Sequence, residues 1–541
     1  MKNFSDEPAA VHVEEHGPTK LPSVEEAKRA SDAEHAMGFR QAFSEYRKAV
    51  MWSAVISLSI IMEGYDTGLM PQFFGYPAFQ KRYGTFTEAS GYQVSGPWQV
   101  GLINASNAGV VIGGFLNGFF AARYGYKLVM LVSLFLMNCF IFITFFAPSL
   151  AVLCTGQVLC GLTWGVFATT GPAYASEICP LALRGYLTAY VNLCWATGQF
   201  ISSGVLFGLL KLDSQWSYRI PFAIQWAWPL PLFLIILWAP ESPWWLVRKD
   251  RIDDAAVSLR RISNKDGQQI NESVAMIMHT IRIENEIESG ASYLNCFKGI
   301  DLRRTEICCL TFAGQMLAGA QFAYGPTYFF EQAGISVNDA YKIGFGDTGI
   351  AFLGTVLSWF LMTWFGRRTL YLAGIATLTV TLLLVGIISV SSQTSGATWT
   401  QAVFTLLWLF VYSMTVGPVC YAIISETSSV RLRAKTVALS RNTYNITAII
   451  CAILEPYMIN PTEWNWKGKT AFFWCGTAAV TTVWTYFRLP ECRGRTYEEL
   501  DLMFAQGVSA WKFRDYKIDA YADELGPSTT AEGEDHSAKK E

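Results

Sequence analysis

Charge is what this chain has least of. Of its 541 residues only 16% are Asp, Glu, Lys or Arg, against about 25% in an ordinary soluble domain. The net charge of -2 excludes the basic surface that nucleic acid requires. Histidine is scarcer still: His12, His16, His35, His279 and His536 all lie outside the long apolar runs, which excludes a histidine proton relay inside a membrane. The 12 cysteines show no paired metal spacing, and Cys139, Cys154, Cys160, Cys308, Cys309 and Cys451 read as small packing residues. No cleavable signal peptide is visible. A phosphate loop is lacking too: Gly468-Lys469-Thr470 looks like the end of one, but Glu463 stands where its first glycine belongs. An enzyme and an ATP-driven pump are therefore excluded, and no metal or cofactor is expected. What the chain does have is apolar surface, 52% hydrophobic and 15% aromatic residues, the composition of a polytopic membrane protein.

A spanning helix needs about 20 mainly apolar residues. Twelve runs qualify, at 50–74, 98–120, 126–147, 150–173, 186–210, 220–239, 304–330, 341–363, 368–390, 400–424, 435–458 and 468–488. They divide six and six, predicting an all-α integral membrane protein built of two six-helix bundles, 50–240 and 304–488. Between them, 241–303 is polar. In it Ile270, Val274, Ile277 and Ile281 recur at helical spacing, predicting an amphipathic helix on the membrane face. The polar tails are 1–49, disordered or partly helical, and 489–541. Positive residues fix the orientation. Arg123, Lys127, Arg184, Arg367, Arg368, Arg431, Arg433 and Lys435 fall in loops of one side. That side, with both tails and 241–303, is expected to be cytoplasmic, despite Lys81 and Arg82 across the membrane. The glycosylation patterns at Asn104, Asn271 and Asn445 fall in spans or in the cytoplasmic segment and carry no weight.

One stretch breaks the apolar pattern. Ser59-Ile-Ile-Met-Glu63-Gly-Tyr65-Asp66-Thr-Gly68 lies inside the first run. Two acids three residues apart share a helix face. An intramembrane acid is costly and points to function, although pairing with a buried cation stays open. Gly64 and Gly68 permit close approach beside them. The halves also echo each other: Gly118 to Lys127 corresponds to Met362 to Arg368, and Glu177 before Arg184 corresponds to Glu426 before Arg433. Such repetition places a site between two halves at mid-membrane.

Three ordered motifs carry a resemblance. They are Pro172-Ala-Tyr-Ala-Ser-Glu177-Ile-Cys-Pro180 with Arg184-Gly185, then Pro240-Glu241-Ser-Pro243-Trp-Trp-Leu246, then Leu489-Pro490-Glu491-Cys-Arg-Gly494-Arg495. From about residue 50 to 505 the chain resembles the sugar porter branch of the major facilitator superfamily. Within it, Glu63-Gly-Tyr-Asp66, Gln157 and Leu439-Ser-Arg441-Asn442-Thr-Tyr444-Asn445 resemble the fungal maltose and α-glucoside permeases. The resemblance implies a monomeric carrier in the plasma membrane whose partners are a sugar, a proton and the lipid bilayer. It implies that Asp66 carries the proton, that Glu63 tunes it, and that Arg441 replaces the span 4 arginine whose place Gln157 takes. Val110 and Val111 stand where proton-coupled members of this group have a further acid. Glu177 with Arg184, and Glu426 with Arg433, are expected to pair as cytoplasmic latches, with Glu241 and Arg367 beside them.

A sugar offers hydroxyl edges and a C–H face, which call for amides and aromatic rings. Gln157, Asn192, Gln199, Gln315, Gln321, Tyr324, Tyr421, Asn442 and Asn445 are the candidates, although any single amide could equally serve an interhelical hydrogen bond. Met316 replaces a second glutamine usual in the family. Gly325-Pro326 and Gly417-Pro418 are expected to break spans 7 and 10 and let them gate. Two rival readings stay open, a facilitator with structural acids and a carrier-like sugar sensor. Maltose, cellobiose, lactose and trehalose are not separated by sequence.

Overall fold

The computed structural model describes residues 29–30, 33–34, 36–88, 91–288, 293–323, 326–391, 394–429, 432–493, 497–514 and 516. Eight of its helices are long and apolar enough to cross a membrane. Gly299–Ala323 and Pro326–Gln332 make a ninth if that pair, bent by 45°, is one span. The other three predicted runs are helical as well: Arg47–Ser57 followed by Ile60–Phe73, then Leu181–Leu209, then Thr470–Arg488. The architecture is the twelve-helix all-α one expected. Its breaks have local causes. Span 10 is Ser395–Met414 and Val416–Thr427, interrupted at Thr415, because Pro418 has no N–H to offer the Met414 carbonyl. Span 7 breaks first at Gly319, whose φ of +89° suits only glycine. It resumes as a new helix at Pro326. Gly325 and Tyr324 lie outside the described residues.

Glycine sets how closely spans approach. A Cβ on Gly64 of span 1 would lie 2.1 Å from the Trp195 carbonyl oxygen of span 5, and one on Gly198 would lie 2.2 Å from the Ile61 carbonyl oxygen. Spans 2 and 4 repeat the device: a Cβ on Gly113 would fall 2.0 Å from the Leu162 carbonyl oxygen, and one on Gly165 2.2 Å from that of Val110. Where lipid removes the hydrophobic drive between helices, such backbone contact is what holds them.

At the end carrying the chain termini, the segments outside the spans pack on one another. Asn264 N–H donates to the Glu45 carbonyl at 3.0 Å, and Arg303 Nη1 to that of Val508 at 2.8 Å. The predicted amphipathic helix runs over Gly267–Glu288, with one correction. Its apolar face meets protein instead of lipid: Ile270, Val274 and Ile277 join Leu259, Ile262 and Tyr46 in the core of the N-terminal half. Burial under this segment pushes the Lys265 ammonium down, with Glu45 pulling it back up.

The same end carries a repeated carboxylate cap. Glu241 accepts from the backbone N–H groups of Tyr126 and Lys127, both at 3.1 Å, and of Ser242 at 2.9 Å. It thereby satisfies the start of span 3 (Tyr126–Phe145). Burial pushes its carboxyl up, against the pull of those three N–H groups. Glu491 does the same for span 9 (Arg367–Ser391), accepting from Arg367 N–H at 2.8 Å. Each carboxylate lies over a glycine, Gly125 or Gly366, whose Cβ would strike it.

The expected latch acids both hold cations among the described residues. Glu177 bonds Arg248 Nη1 at 2.7 Å, Tyr126 Oη at 3.1 Å and the Ser242 hydroxyl. Glu426 pairs with Arg367 Nε at 3.0 Å. Arg248 ends the short Pro243–Arg248 helix after span 6 and Arg367 begins span 9; the side chains of Arg184 and Arg433, the partners expected from sequence, lie outside the described ones. Glu426 thus holds a cation of its own half, as Glu306 holds Arg488.

At the opposite end the halves meet. Tyr341 Oη of span 8 (Val337–Trp364) donates to the Gln72 carbonyl of span 1. Tyr328 Oη bonds Gln93 Oε1 at 3.3 Å and accepts from Gln99 Nε2 at 3.4 Å. Asn460 Nδ2 donates to the Val94 carbonyl at 3.1 Å, and Phe345 stacks on Phe200 with centroids 4.8 Å apart.

The caps generate a test. Glu241→Ala strips the acceptor from three N–H groups, and the expected loss is about 1–3 kcal/mol of stability. It is read as a lower unfolding temperature in detergent. Glu491→Ala should behave alike. With no shared partner, the double variant should show the sum within about 0.5 kcal/mol. Unchanged unfolding in both single variants would contradict a capping role.

Candidate functional site

Asp66 and Glu63 lie on the Ile60–Phe73 helix, 1% and 8% exposed. Neither is among the ion pairs of the described residues. Amides hold Asp66 instead: its Oδ1 accepts from Gln225 Nε2 at 2.9 Å and from Gln157 Nε2 at 3.4 Å. Gln157 of span 4 (Leu150–Ile178) therefore reaches the acid from the place where an arginine is usual in the resemblance, and supplies a neutral donor. Sequence reading missed Gln225. A lone amide between Ile224 and Trp226 in an apolar run was the available signal. Tyr65 fixes the same helix from its other side, its Oη donating to the Pro221 carbonyl at 2.9 Å.

Arg441 is not brought to Asp66. It lies on span 11 (Arg433–Ile459) and donates to Tyr421 Oη at 3.4 Å, with its guanidinium carbon 4.9 Å from the centre of the Tyr444 ring and 6.0 Å from that of Phe312. Phe312 meets Tyr421 edge-on at 5.2 Å and Tyr444 at 5.8 Å. Tyr421 is 42% exposed in the middle of a membrane-spanning helix, so it borders open space inside the bundle. Glu63 acts electrostatically on Arg441, Tyr421 and Tyr444, which sets this cluster across from span 1. Asn442 and Asn445 are half-buried on the same helix as Arg441, and Asn192 is half-buried on span 5.

The glutamines behave differently. Gln315 is buried and used within its own half: its Oε1 accepts from Tyr412 Oη at 2.7 Å, and its Nε2 contacts Cys420 Sγ. Gln321 leans on Met316 Sδ at 3.9 Å. Gln199 is buried at the seam of spans 1 and 5, where a Cβ on Gly68 would lie 3.2 Å from its Cα. Gly417 and Pro326 are buried at the helix breaks already described, with Pro418 beside Gly417. The structure thus brings together Arg441, Tyr421, Phe312 and Tyr444 in the C-terminal half, and Asp66, Gln157 and Gln225 in the N-terminal half. No group of three or more His, Cys, Asp or Glu that could hold a metal occurs among the described residues.

Comparison with known proteins identifies the family. Residues 52–504 match the model of the "Sugar (and other) transporter" family. The maltose permease MAL31 of Saccharomyces cerevisiae is 39% identical over 508 residues, covering 92% of this chain and 83% of that one. The alpha-glucosides permease MPH3 of the same yeast is 39% identical over 538 residues, covering 96% and 89%. Among solved structures, the major facilitator proton:xylose symporter XylE bound to 6-bromo-6-deoxy-D-glucose superposes with a TM-score of 0.68. The match covers 85% of this chain and 100% of that one at 19% identity, which speaks for the fold alone. The inward open form of XylE from E. coli superposes with a TM-score of 0.64 at 19% identity, over 83% and 98% of the two chains. With its helices, breaks and motifs accounted for, this chain belongs to the sugar (and other) transporter family of membrane carriers and is not an enzyme.

Proposed function

We propose that the protein imports an α-glucoside disaccharide together with a proton across the plasma membrane by alternating access, with both tails and 241–303 in the cytoplasm. The observation that carries this reading is Asp66: a carboxyl buried in the first span and held by two amides, with no ion pair among the described residues, in a chain whose other half gathers an arginine and three aromatic rings. Burial makes the charged form of such a group costly, so gaining and losing a proton changes the energy of the state that contains it. On the facing half, Tyr421, Phe312 and Tyr444 offer ring faces to a sugar's C–H surface. Arg441, Asn442, Asn445 and Asn192 offer donors and acceptors to its hydroxyls. The relatives' names, maltose permease and alpha-glucosides permease, support the substrate class.

In the proposed cycle, sugar and proton enter while the outer end is open, and the outer end then closes through Tyr341, Tyr328 and Asn460. Glu177 with Arg248 and Glu426 with Arg367 are ion pairs that do not join the two halves, so they leave the cytoplasmic end free to open. Loss of the proton from Asp66 to the cytoplasm restores a charge that the amides stabilise during the return. Gln315 supports the site from behind by ordering Tyr412 and the span 10 backbone near Cys420.

A facilitator is the second reading. Neutral donors on Asp66, with valines at 110 and 111, favour it, because no cation stands ready to exchange with the proton. Uptake by Asp66→Asn in a transport-null host decides between the two. The expected result is loss of accumulation against a gradient and of sugar-induced proton flux, with exchange across the membrane retained. Full accumulation by the variant would refute coupling through Asp66. For the sugar site, Asn442→Ala should raise the KM for maltose about two- to tenfold, the equivalent of one lost hydrogen bond of about 0.5–1.5 kcal/mol. An unchanged KM in Asn442→Ala and Tyr421→Ala would place the sugar elsewhere. For the orientation, a reporter inserted at Ser395, between spans 9 and 10, should read as extracellular; a cytoplasmic signal would reverse the topology.

A further inference from the structure

Span 8 carries an acid that the transport cycle above does not use. Asp347 is 1% exposed, and its Oδ1 is buried without a hydrogen-bond partner. It belongs to a stripe of small residues, Ala340, Gly344, Ala351, Gly354 and Ser358, at spacings of three and four. Such spacing keeps them on one helix face. One end of the stripe packs under the Pro326–Gln332 helix, for a Cβ on Gly344 would lie 2.4 Å from Thr327 Oγ1. The other end packs on span 10, for a Cβ on Gly354 would lie 2.9 Å from Ser413 Cβ. Asp347 falls between these contacts, one turn from Gly344. Thr327 Oγ1 is also buried without a partner. Thr327 Oγ1 thus lies unpartnered where span 8 meets the short helix whose Tyr328 closes the outer end on Gln93 and Gln99, and Asp347 follows one turn along the same face of span 8.

The occupant of this seam has to be small. A hard metal cation takes about six or more oxygen ligands, and no group of acids gathers here. The elements packed on span 8 bring titratable groups of their own. They include Glu331 and Tyr328 on the short helix, Tyr412, Cys420, Tyr421 and Glu426 on span 10, Tyr371 on span 9, and Tyr190 and Cys194 on span 5. Asp347 is not among the ion pairs of the described residues.

We propose that Asp347 is a proton-binding site of the outer gate, taking a proton from the outer solution before the Pro326–Gln332 helix can close over it. A bare carboxylate sealed into this seam would meet neither water nor a cation, whereas the neutral acid is accommodated there. Water reaches Asp347 only when the helix lifts, so this proton comes and goes on the outer side and is not carried across. The side that supplies it rests on the orientation proposed above.

The test is exchange of labelled maltose, a process that closes the outer gate each cycle without net proton flux. It is measured across a range of outer pH in wild type, Asp347→Asn and Asp66→Asn. Wild type and Asp66→Asn should both lose exchange as the outer solution becomes alkaline. Asp347→Asn should stay nearly flat and exceed wild type several-fold at the alkaline end. Parallel profiles for wild type and Asp347→Asn would overturn the proposal. Infrared difference spectra of the purified Asp66→Asn protein provide a second reading that does not require Asp347→Asn to fold or the sugar to be identified correctly. They should show a protonated carboxyl shielded from deuterium exchange in the closed form, and absence of any such carboxyl would also overturn it. A reversed reporter at Ser395 with a flat Asp347→Asn profile would refute the orientation and leave the proton site standing.

Discussion

A charge inside a bilayer has to be held by something, and how it is held decides what the helices around it can do. Asp66 is held by Gln225 from span 6 and Gln157 from span 4, so one carboxyl ties three helices of the N-terminal half. The tie depends on span 1 reaching deep between its neighbours. That depth comes from Gly64 and Gly198, whose missing side chains let spans 1 and 5 touch backbone to backbone. Spans 2 and 4 are joined by the same device at Gly109, Gly113, Gly161 and Gly165. The N-terminal half is thus a rigid holder for one acid, and a larger side chain at these seams would displace the acid along with the helix.

The C-terminal half is built on the opposite principle. Its spans 7 and 10 are broken, at Gly319 and before Pro326, and at Thr415. Its polar centre is a cation held by aromatic rings. Arg441 leans on Tyr444 and donates to Tyr421, contacts through ring faces and a hydroxyl and not through a carboxylate. The pieces beyond the breaks carry Tyr328 and Tyr421, one at the closed end and one at the interior space. A helix break separates each from the longer part of its span, so either can shift without moving the whole bundle.

Much of this was legible in the chain. Twelve runs, six and six, came from apolar length alone, and breaks were expected at Gly325-Pro326 and Gly417-Pro418, whereas the earlier break of span 7 at Gly319 was not. Glu63 and Asp66 stood out because acids are rare in such runs. The partners were harder. A cation for Glu177 was sought in Arg184, seven residues away and with its side chain outside the described ones; Arg248, which bonds it, arrives after the chain has crossed the membrane twice more. Glu241, which read as a gating acid, also caps a helix, a contact that depends on Gly125 bringing the start of span 3 beneath it and that sequence did not indicate. Gln315 was expected to face the sugar and turns to Tyr412. An amide's spacing names its helix face; which neighbour arrives first is a matter of tertiary packing.

The two ends of the bundle also differ in what opening them would require. At the end away from the termini, parting the halves would strip partners from Tyr341, Tyr328 and Asn460 and would unstack Phe345 from Phe200. At the termini end, Glu426 and Glu306 each pair with an arginine of the C-terminal half, and Glu177 pairs with Arg248 of the segment that follows span 6. Separation there breaks none of those pairs. A buried polar group that loses its partner costs about 1–3 kcal/mol, so the structure favours opening at the termini end for as long as these arginines stay with their own acids. Reversing that preference takes a change in the pairing itself, and the masses of helix on either side can then follow as rigid bodies.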